Sequence, residues 1–383
     1  QSTKASITMN EPHKWSTALT RFGKHPDFGT MPQVLVLHFN SIRKYPPACN
    51  AVAHLKSIGM DVKVLTTAVG EAPVAGGVVR KLKLAWEIFK FHLAAIAALK
   101  FHSFDLVIAY EHLSVLPIKW RRKSNASQQL WLHFHEYMSP EEIACAGAFS
   151  SLCWKHVPAV VKRCDFTSHT NGWRLNQFRA DLGLETLSAT RFGSIPNTPP
   201  QAWLNRTPEH WNSTSPKGRP LRLVYHGALH RDTTYIERLC ELLHELKGAV
   251  TLSIYTNDNT EGLSSTCVDI HPALPYSVLP EVLAQFDLGL IIYRGLIPNY
   301  QFNQPNKLWE YLGCKLPVLV SSNLDESMIP PEISGRVATF DFQSASCQDF
   351  TQTLEELLGT SNDDVKVKPF EFHLQKVIHK LFP

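Results

Sequence analysis

Short, mostly apolar runs alternate with helix-like segments along most of this chain, and the alternation stops once and starts again. The first runs are 34–39 (VLVLHF), 62–66 (VKVLT), 106–110 (LVIAY), 130–134 (LWLHF) and 165–170 (DFTSHT). Runs this short and this apolar suit strands of a parallel sheet covered on both faces. The segments between them read as helices: one from Ala48 to the stop at Gly59, a long one over 79–102, then 113–122, 141–162 and one starting near Gly172. Strand, helix and strand in that order make the βαβ unit. Residues 194–220 break the pattern with Pro, Ser, Thr and Asn, the composition of a linker. After it come strands at 221–225, 250–255, 268–271, 288–293 and 316–320, with helices over 233–246, 277–285 and behind Pro305. The tail, 371–382, reads as a last helix with no strand after it. The expected fold class is therefore α/β, with two halves of similar size.

Bulk properties narrow the function without naming it. A chain of 383 residues with 44% apolar content can build two or three domains. Its formal charge of +4 is too mild to demand nucleic acid, and no arginine-rich run or nucleic-acid motif occurs. Eight scattered cysteines form no CxxC pair, which speaks against a zinc site or a thioredoxin-like motif and fits reduced thiols in a cytoplasmic protein. No apolar run approaches the roughly 18–20 residues of a membrane span. Residues 1–31 are polar and read as an arm.

The stretch 301–321 (QFNQPNKLWEYLGCKLPVLVS) concentrates the chemistry. Proline suits the start of a helix, and the free amides behind Pro305 lie at the positive end of the helix dipole. With Asn306 and Lys307 in the first turn, this is a place for a phosphate. Glu310 follows Lys307 by three residues, on the same face, where a carboxylate can accept hydrogen bonds from a pair of sugar hydroxyls. Ligands of parallel sheets bind beyond the carboxyl ends of strands. That rule places the Arg43–Lys44–Tyr45 loop, after the first strand, and the His135–Glu136 pair, after the fourth, at a cleft. Glu136 can take a proton there and His135 can hydrogen-bond a charged group. The first loop has no GxGxxG, which weakens a nicotinamide or flavin reading. The helix over 79–102 interleaves Lys81, Lys83, Lys90 and Lys100 with Leu, Trp and Phe, a pattern that fits either a core helix with a solvated lysine edge or a helix lying on an anionic membrane.

Taken together, PNKLWEYLGCKLPVLVS from Pro305, HGALHRD from His226, FDLGLIIY from Phe286, SIPN from Ser194 and FHEY from Phe134 resemble GT-B glycosyltransferases, most closely the family-4-type bacterial enzymes of surface-polysaccharide assembly. The resemblance runs from about Pro32 to the end. It implies two Rossmann-like domains with parallel sheets facing a cleft: an acceptor-binding domain over 32–195, a linker over 196–220, a nucleotide-sugar-binding domain over 221–367, and a helix over 368–383 packing across the domains. It implies that Glu310 binds the donor ribose, that Asn306 and Lys307 hold the diphosphate, that Gly227 lets the donor approach the backbone, and that Arg231 neutralises phosphate charge. The acceptor, a saccharide or lipid-linked saccharide, would meet Arg43, Lys44, Tyr45 and the His135–Glu136 turn. The implied activity is transfer of a sugar from a nucleotide-diphosphate sugar without a separate cofactor. The absence of a DxD motif implies a metal-independent reaction, in the cytoplasm at the inner face of the plasma membrane. Two positions depart from the pattern. Phe302 stands where many retaining members carry a second acid, eight residues before the ribose glutamate. Lys315 stands where a glycine is common, so the helix end is built differently or a lysine takes a left-handed conformation. A nucleotide-sugar epimerase of related architecture and a non-catalytic nucleotide- or saccharide-binding subunit are the alternatives.

Overall fold

The computed structural model describes residues 31–69, 78–119, 128–206, 218–359 and 365–383. The expected arm lies outside the described residues except for Met31, as does much of the expected linker. The first sheet contains β1 (Gln33–His38), β2 (Asp61–Thr66), β3 (Leu106–Tyr110), β4 (Gln129–Phe134), β5 (Phe166–His169) and β6 (Phe192–Ser194), in the order β2-β1-β3-β4-β5-β6. The second contains β7 (Leu221–His226), β8 (Val250–Tyr255), β9 (Val268–His271), β10 (Leu288–Ile291), β11 (Val318–Ser321) and β12 (Val337–Phe340), in the order β12-β11-β10-β7-β8-β9. Every strand pairing within both sheets is parallel. Read from its far edge, the second sheet has the 3-2-1-4-5-6 order of a dinucleotide-binding domain. The α/β expectation of two parallel sheets therefore holds.

The apolar runs explain the layers. In β1, Leu35 and Leu37 face one helical layer while Val34 and Val36 face the other, and all four are buried. The second sheet is covered in the same way, with Leu223 and Leu252 on one side and Val224 and Val318 on the other. The last helix, Phe370–Leu381, returns to the first domain: Leu374 and Ile378 join the core of Ala48, Leu55, Val34 and Ile108.

Local structure departs from the expected elements in several places. The helix expected over 141–162 is two, Pro140–Cys145 and Ala148–Val161. Ser139 opens the first with a capping box, Ala146 leaves helical geometry with ψ 152°, and Gly147 caps the second. The helix expected over 233–246 begins only at Ile236, after a 3₁₀ turn at Arg231–Thr233 and an extended Thr234. Strands β6 and β12 and the helix Cys347–Gly359 were not expected from the pattern. The helix end after Glu310 resolves the second departure noted above. Lys315 itself takes φ 61°, just past the C-cap Cys314. A left-handed lysine is strained relative to glycine. Lys315→Gly is expected to stabilise the chain by about 1 kcal/mol, read as a higher urea midpoint with an unchanged slope.

Candidate functional site

The carboxyl ends of β7 and β10 adjoin where the second sheet reverses its order, the usual ligand position of such sheets. The helix Asn306–Gly313 brings Lys307 and Glu310 there, both buried. Lys307 Nζ donates to the Tyr225 hydroxyl at 2.9 Å and the Tyr293 hydroxyl at 3.1 Å, and sits 4.1 Å and 5.0 Å from the centres of those two rings. Among the described residues no carboxylate pairs with it. Burial pushes the Tyr225 hydroxyl up to about 12, so at neutral pH the ring offers a dipole and a π face rather than a countercharge. A buried ammonium held only by neutral groups leaves a demand for an anion. Gly227 is shaped by this lysine. Its φ is +95°, and a Cβ there would meet Lys307 Cε at 3.2 Å. Glu310 Oε2 lies 3.2 Å from His226 Nε2, although the imidazole is not aligned to hydrogen-bond it. Asn306 turns toward the segment after β6, where its Oδ1 accepts from Asn197 Nδ2 at 2.8 Å.

Arg231 is not gathered with these groups. Its guanidinium lies 3.5 Å from Glu237 and donates to the Glu261 carbonyl. The loop before the first helix divides in the same way. Arg43 and Lys44 are exposed on a 3₁₀ turn, while Tyr45 stacks on His135 with ring centres 5.5 Å apart and accepts from Asn40 Nδ2.

The His135–Glu136 pair also splits. His135 is buried, stacked on Tyr110 at 5.2 Å, and neither ring nitrogen has a partner among the described residues. Burial holds it far below the usual histidine range, helped by His133, His38, Arg174 and His169. Burial likewise lowers His133 to about 3 and His38 to about 4. His135 is therefore a neutral wall of the cleft. Glu136 is exposed and reaches across it, accepting from Asn299 Nδ2 at 2.7 Å.

Residues that the sequence did not single out hold this cleft together. The buried Arg174 donates to the His135 carbonyl at 2.7 Å, to Thr170 Oγ1 at 3.0 Å and to the Asn299 carbonyl at 2.8 Å. Asn171 Nδ2 donates to the Phe302 carbonyl, and Trp173 stacks on Phe302 with ring centres 3.8 Å apart. Phe302, in the position of the missing acid, is thus an interdomain contact. Tyr300 lies within electrostatic reach of both Glu136 and Lys307, which puts the two walls in one cleft. Behind the helix Asn306–Gly313, a cavity of about 550 Å³ between the domains is lined by Asn171, Thr198, Gln304 and Trp309 among others.

No family profile matches the chain, and no curated protein does. Solved structures do. A UDP-forming α,α-trehalose-phosphate synthase from Burkholderia xenovorans aligns over 92% of this chain and 95% of its own at 10% identity, with a TM-score of 0.59. The lipopolysaccharide outer core galactosyltransferase WaaB aligns over 91% and 99% at 14% identity, TM-score 0.52. A Listeria monocytogenes chain attributed to a UDP-N-acetylglucosamine 2-epimerase aligns over 91% and 95% at 11% identity, TM-score 0.52. At such identities the likeness is one of fold: two Rossmann-like domains in the GT-B arrangement.

The neutral histidines make stability depend on pH. Their pKa values are depressed on folding, so the stability present above pH 6.5 is lost as pH falls. Below 6.5 the unfolded chain binds protons that His38, His133, His135 and His169 refuse. Each costs up to about 1.4 kcal/mol per pH unit. The urea midpoint is expected to drop between pH 7 and 5, before most carboxylates titrate, and a flat midpoint over that interval would contradict the assignment.

Proposed function

We propose that this protein is a glycosyltransferase that moves a sugar from a nucleotide-diphosphate sugar to a saccharide or lipid-linked saccharide acceptor, in the synthesis of a surface polysaccharide. The observation that carries the reading is the buried Lys307, which has no anionic partner among the described residues and lies under Gly227, one helical turn before Glu310. The GT-B fold supports it. In this reading the donor diphosphate lies against Lys307, the first-turn amides and Asn306. Glu310 accepts the ribose hydroxyls. Glycosyl transfer breaks a sugar–phosphate bond and leaves charge on the diphosphate, and a preorganised cation with helix amides stabilises that charge without a metal. The acceptor enters from the other wall, past Tyr45, the exposed Arg43 and Lys44, and the His135–Glu136 turn. Arg231 joins the phosphate site only if donor binding draws it away from Glu237.

The lipid-linked acceptor is favoured by the helix Val78–Phe101. Its core face carries Phe91, Ala95 and Ala98, all buried. A second apolar stripe faces solvent: Leu82, Trp86, Phe89 and Leu93 are 65%, 57%, 55% and 56% exposed. Their spacing of four, three and four residues aligns them on one face, beside the exposed Lys81, Lys83 and Lys90. An apolar stripe flanked by lysines suits the surface of an anionic membrane. Among the described residues no helix is long and apolar enough to cross one.

Two measurements test these assignments. A thermal-shift screen against nucleoside diphosphates identifies the base, and calorimetry with the best ligand then compares Glu310→Ala with the parent. Affinity is expected to fall roughly 10- to 100-fold, the worth of hydrogen bonds to a charged group. Unchanged affinity would sink the nucleotide assignment. In sedimentation with phosphatidylglycerol vesicles at low salt, the parent is expected to pellet and the double variant Trp86→Ser, Phe89→Ser to stay in solution. A parent that does not pellet removes the membrane assignment.

A further inference from the structure

Three described residues other than glycine have positive φ. Lys247 and Lys315 follow helix ends, where the left-handed turn is ordinary. Glu111 is different. It follows β3 directly, with φ 62° and ψ 163°, a region of backbone space that belongs almost wholly to glycine. Its place is also particular. The first sheet reverses its order between β1 and β3, so the crevice beyond their carboxyl ends is this domain's ligand position. Glu111 stands in that crevice.

The strained backbone turns the carboxylate under the acceptor wall. Glu111 Oε1 accepts from the His135 amide at 2.6 Å, and its own amide donates to the His133 carbonyl at 2.9 Å. The residue keeps part of its surface accessible. The titratable and charged groups facing it are Glu136 and His135 from the turn after β4, Arg174 from the helix Gly172–Asp181, and Tyr45 from the loop after β1. Burial pushes the Glu111 carboxyl up to about 8, against the His135 amide, and the Glu136 charge adds to the rise. Glu136 has the opposite setting: exposed, tied to Asn299 and 3.8 Å from Arg174.

We propose that Glu111, rather than Glu136, is the proton acceptor on the acceptor side. This rests on the glycosyltransferase reading. The Glu111 carboxylate takes the proton of the acceptor hydroxyl as that oxygen bonds to the anomeric carbon. The bond from that carbon to the diphosphate oxygen breaks, and the nucleoside diphosphate leaves with the electron pair. The proton passes from Glu111 to solvent after release. Attack opposite the leaving group inverts the anomeric centre, so no second acid is needed at position 302.

The test measures nucleoside diphosphate release from a panel of UDP-, GDP-, ADP- and dTDP-sugars, with a detergent extract of membrane lipids as acceptor, between pH 5.5 and 9.5. For the parent, kcat/KM is expected to rise with pH to a plateau, with a midpoint near the Glu111 value of about 8. Glu111→Gln is expected to lower kcat about 100-fold or more and to flatten that limb, with nucleoside diphosphate affinity unchanged. Glu111→Gly serves as the second variant because the backbone conformation favours glycine. It is expected to melt no lower than Glu111→Gln and to lack the limb equally. Glu136→Gln is expected to keep it. A Glu111→Gln enzyme with kcat within threefold and the limb intact overturns the proposal alone, as does loss of the limb in Glu136→Gln with retention in both Glu111 variants. A parent that releases nucleoside diphosphate from no donor overturns this proposal together with the glycosyltransferase reading.

Discussion

The cleft depends on one buried guanidinium. Removing an arginine from water costs several kcal/mol unless its donors are met. Although its Nε has no partner among the described residues, Arg174 offsets much of that cost by joining three pieces of chain that are far apart in sequence. It holds the His135 carbonyl after β4, Thr170 after β5, and the Asn299 carbonyl of the second domain. The neighbouring positions in the same helix repeat the arrangement, since Asn171 bonds the Phe302 carbonyl and Trp173 covers its ring. One helix start of the first domain therefore sets where the segment 298–304, a short helix at Pro298–Gln301 and the turn after it, sits. That segment leads directly into Pro305 and the helix bearing Lys307 and Glu310, so the spacing between the two walls follows from these contacts.

The electrostatics of the walls follow from what each one buries. The second domain buries an ammonium among tyrosines, a preference for an anion fixed in advance. The first domain buries rings. His38, His133, His135 and Tyr110 pack against one another, and burial keeps the histidines uncharged. Burial likewise favours the protonated form of Glu111 and pushes its carboxyl up to about 8. The result is a charged wall on the second domain facing a wall on the first on which a proton can be gained or lost.

How much of this was legible in the sequence differs by level. The paired parallel sheets were readable because strands buried on both faces are mostly apolar, as in VLVLHF and LVIAY. The short strands β6 and β12 escaped because three or four residues, some of them polar or glycine, carry no period. In the site, Lys307 and Glu310 were legible because helical spacing alone puts them together. Arg231 was legible only as a charge near a strand end, and its direction depends on a turn at 231–233 that places it against Glu237. Glu111 offered a single acidic letter after an apolar run. What distinguishes it is a backbone angle and the approach of the turn after β4, neither of which is a property of its neighbours in sequence. Arg174 and Asn299 were invisible for the same reason, since their partners lie in other elements or the other domain.

Phe302 shows how sequence and geometry combine. An acid at that position would place a second negative charge on the second domain's wall. The phenyl ring instead stacks against Trp173, and the backbone there accepts from Asn171, so the position has become part of the interdomain contact. On the second domain, Glu310 lies beside His226, and Arg231 and Glu237 pair with each other. From the first domain, Glu111 and Glu136 face the cleft. Of these, Glu136 spans the gap and is bound on its far side, which fits a group that sets the separation of the walls. Glu111 remains beneath the crevice in a conformation its own side chain disfavours. Such a conformation persists when surrounding structure over-determines it, and here the His133 carbonyl and the His135 amide do so by holding Glu111 from both sides.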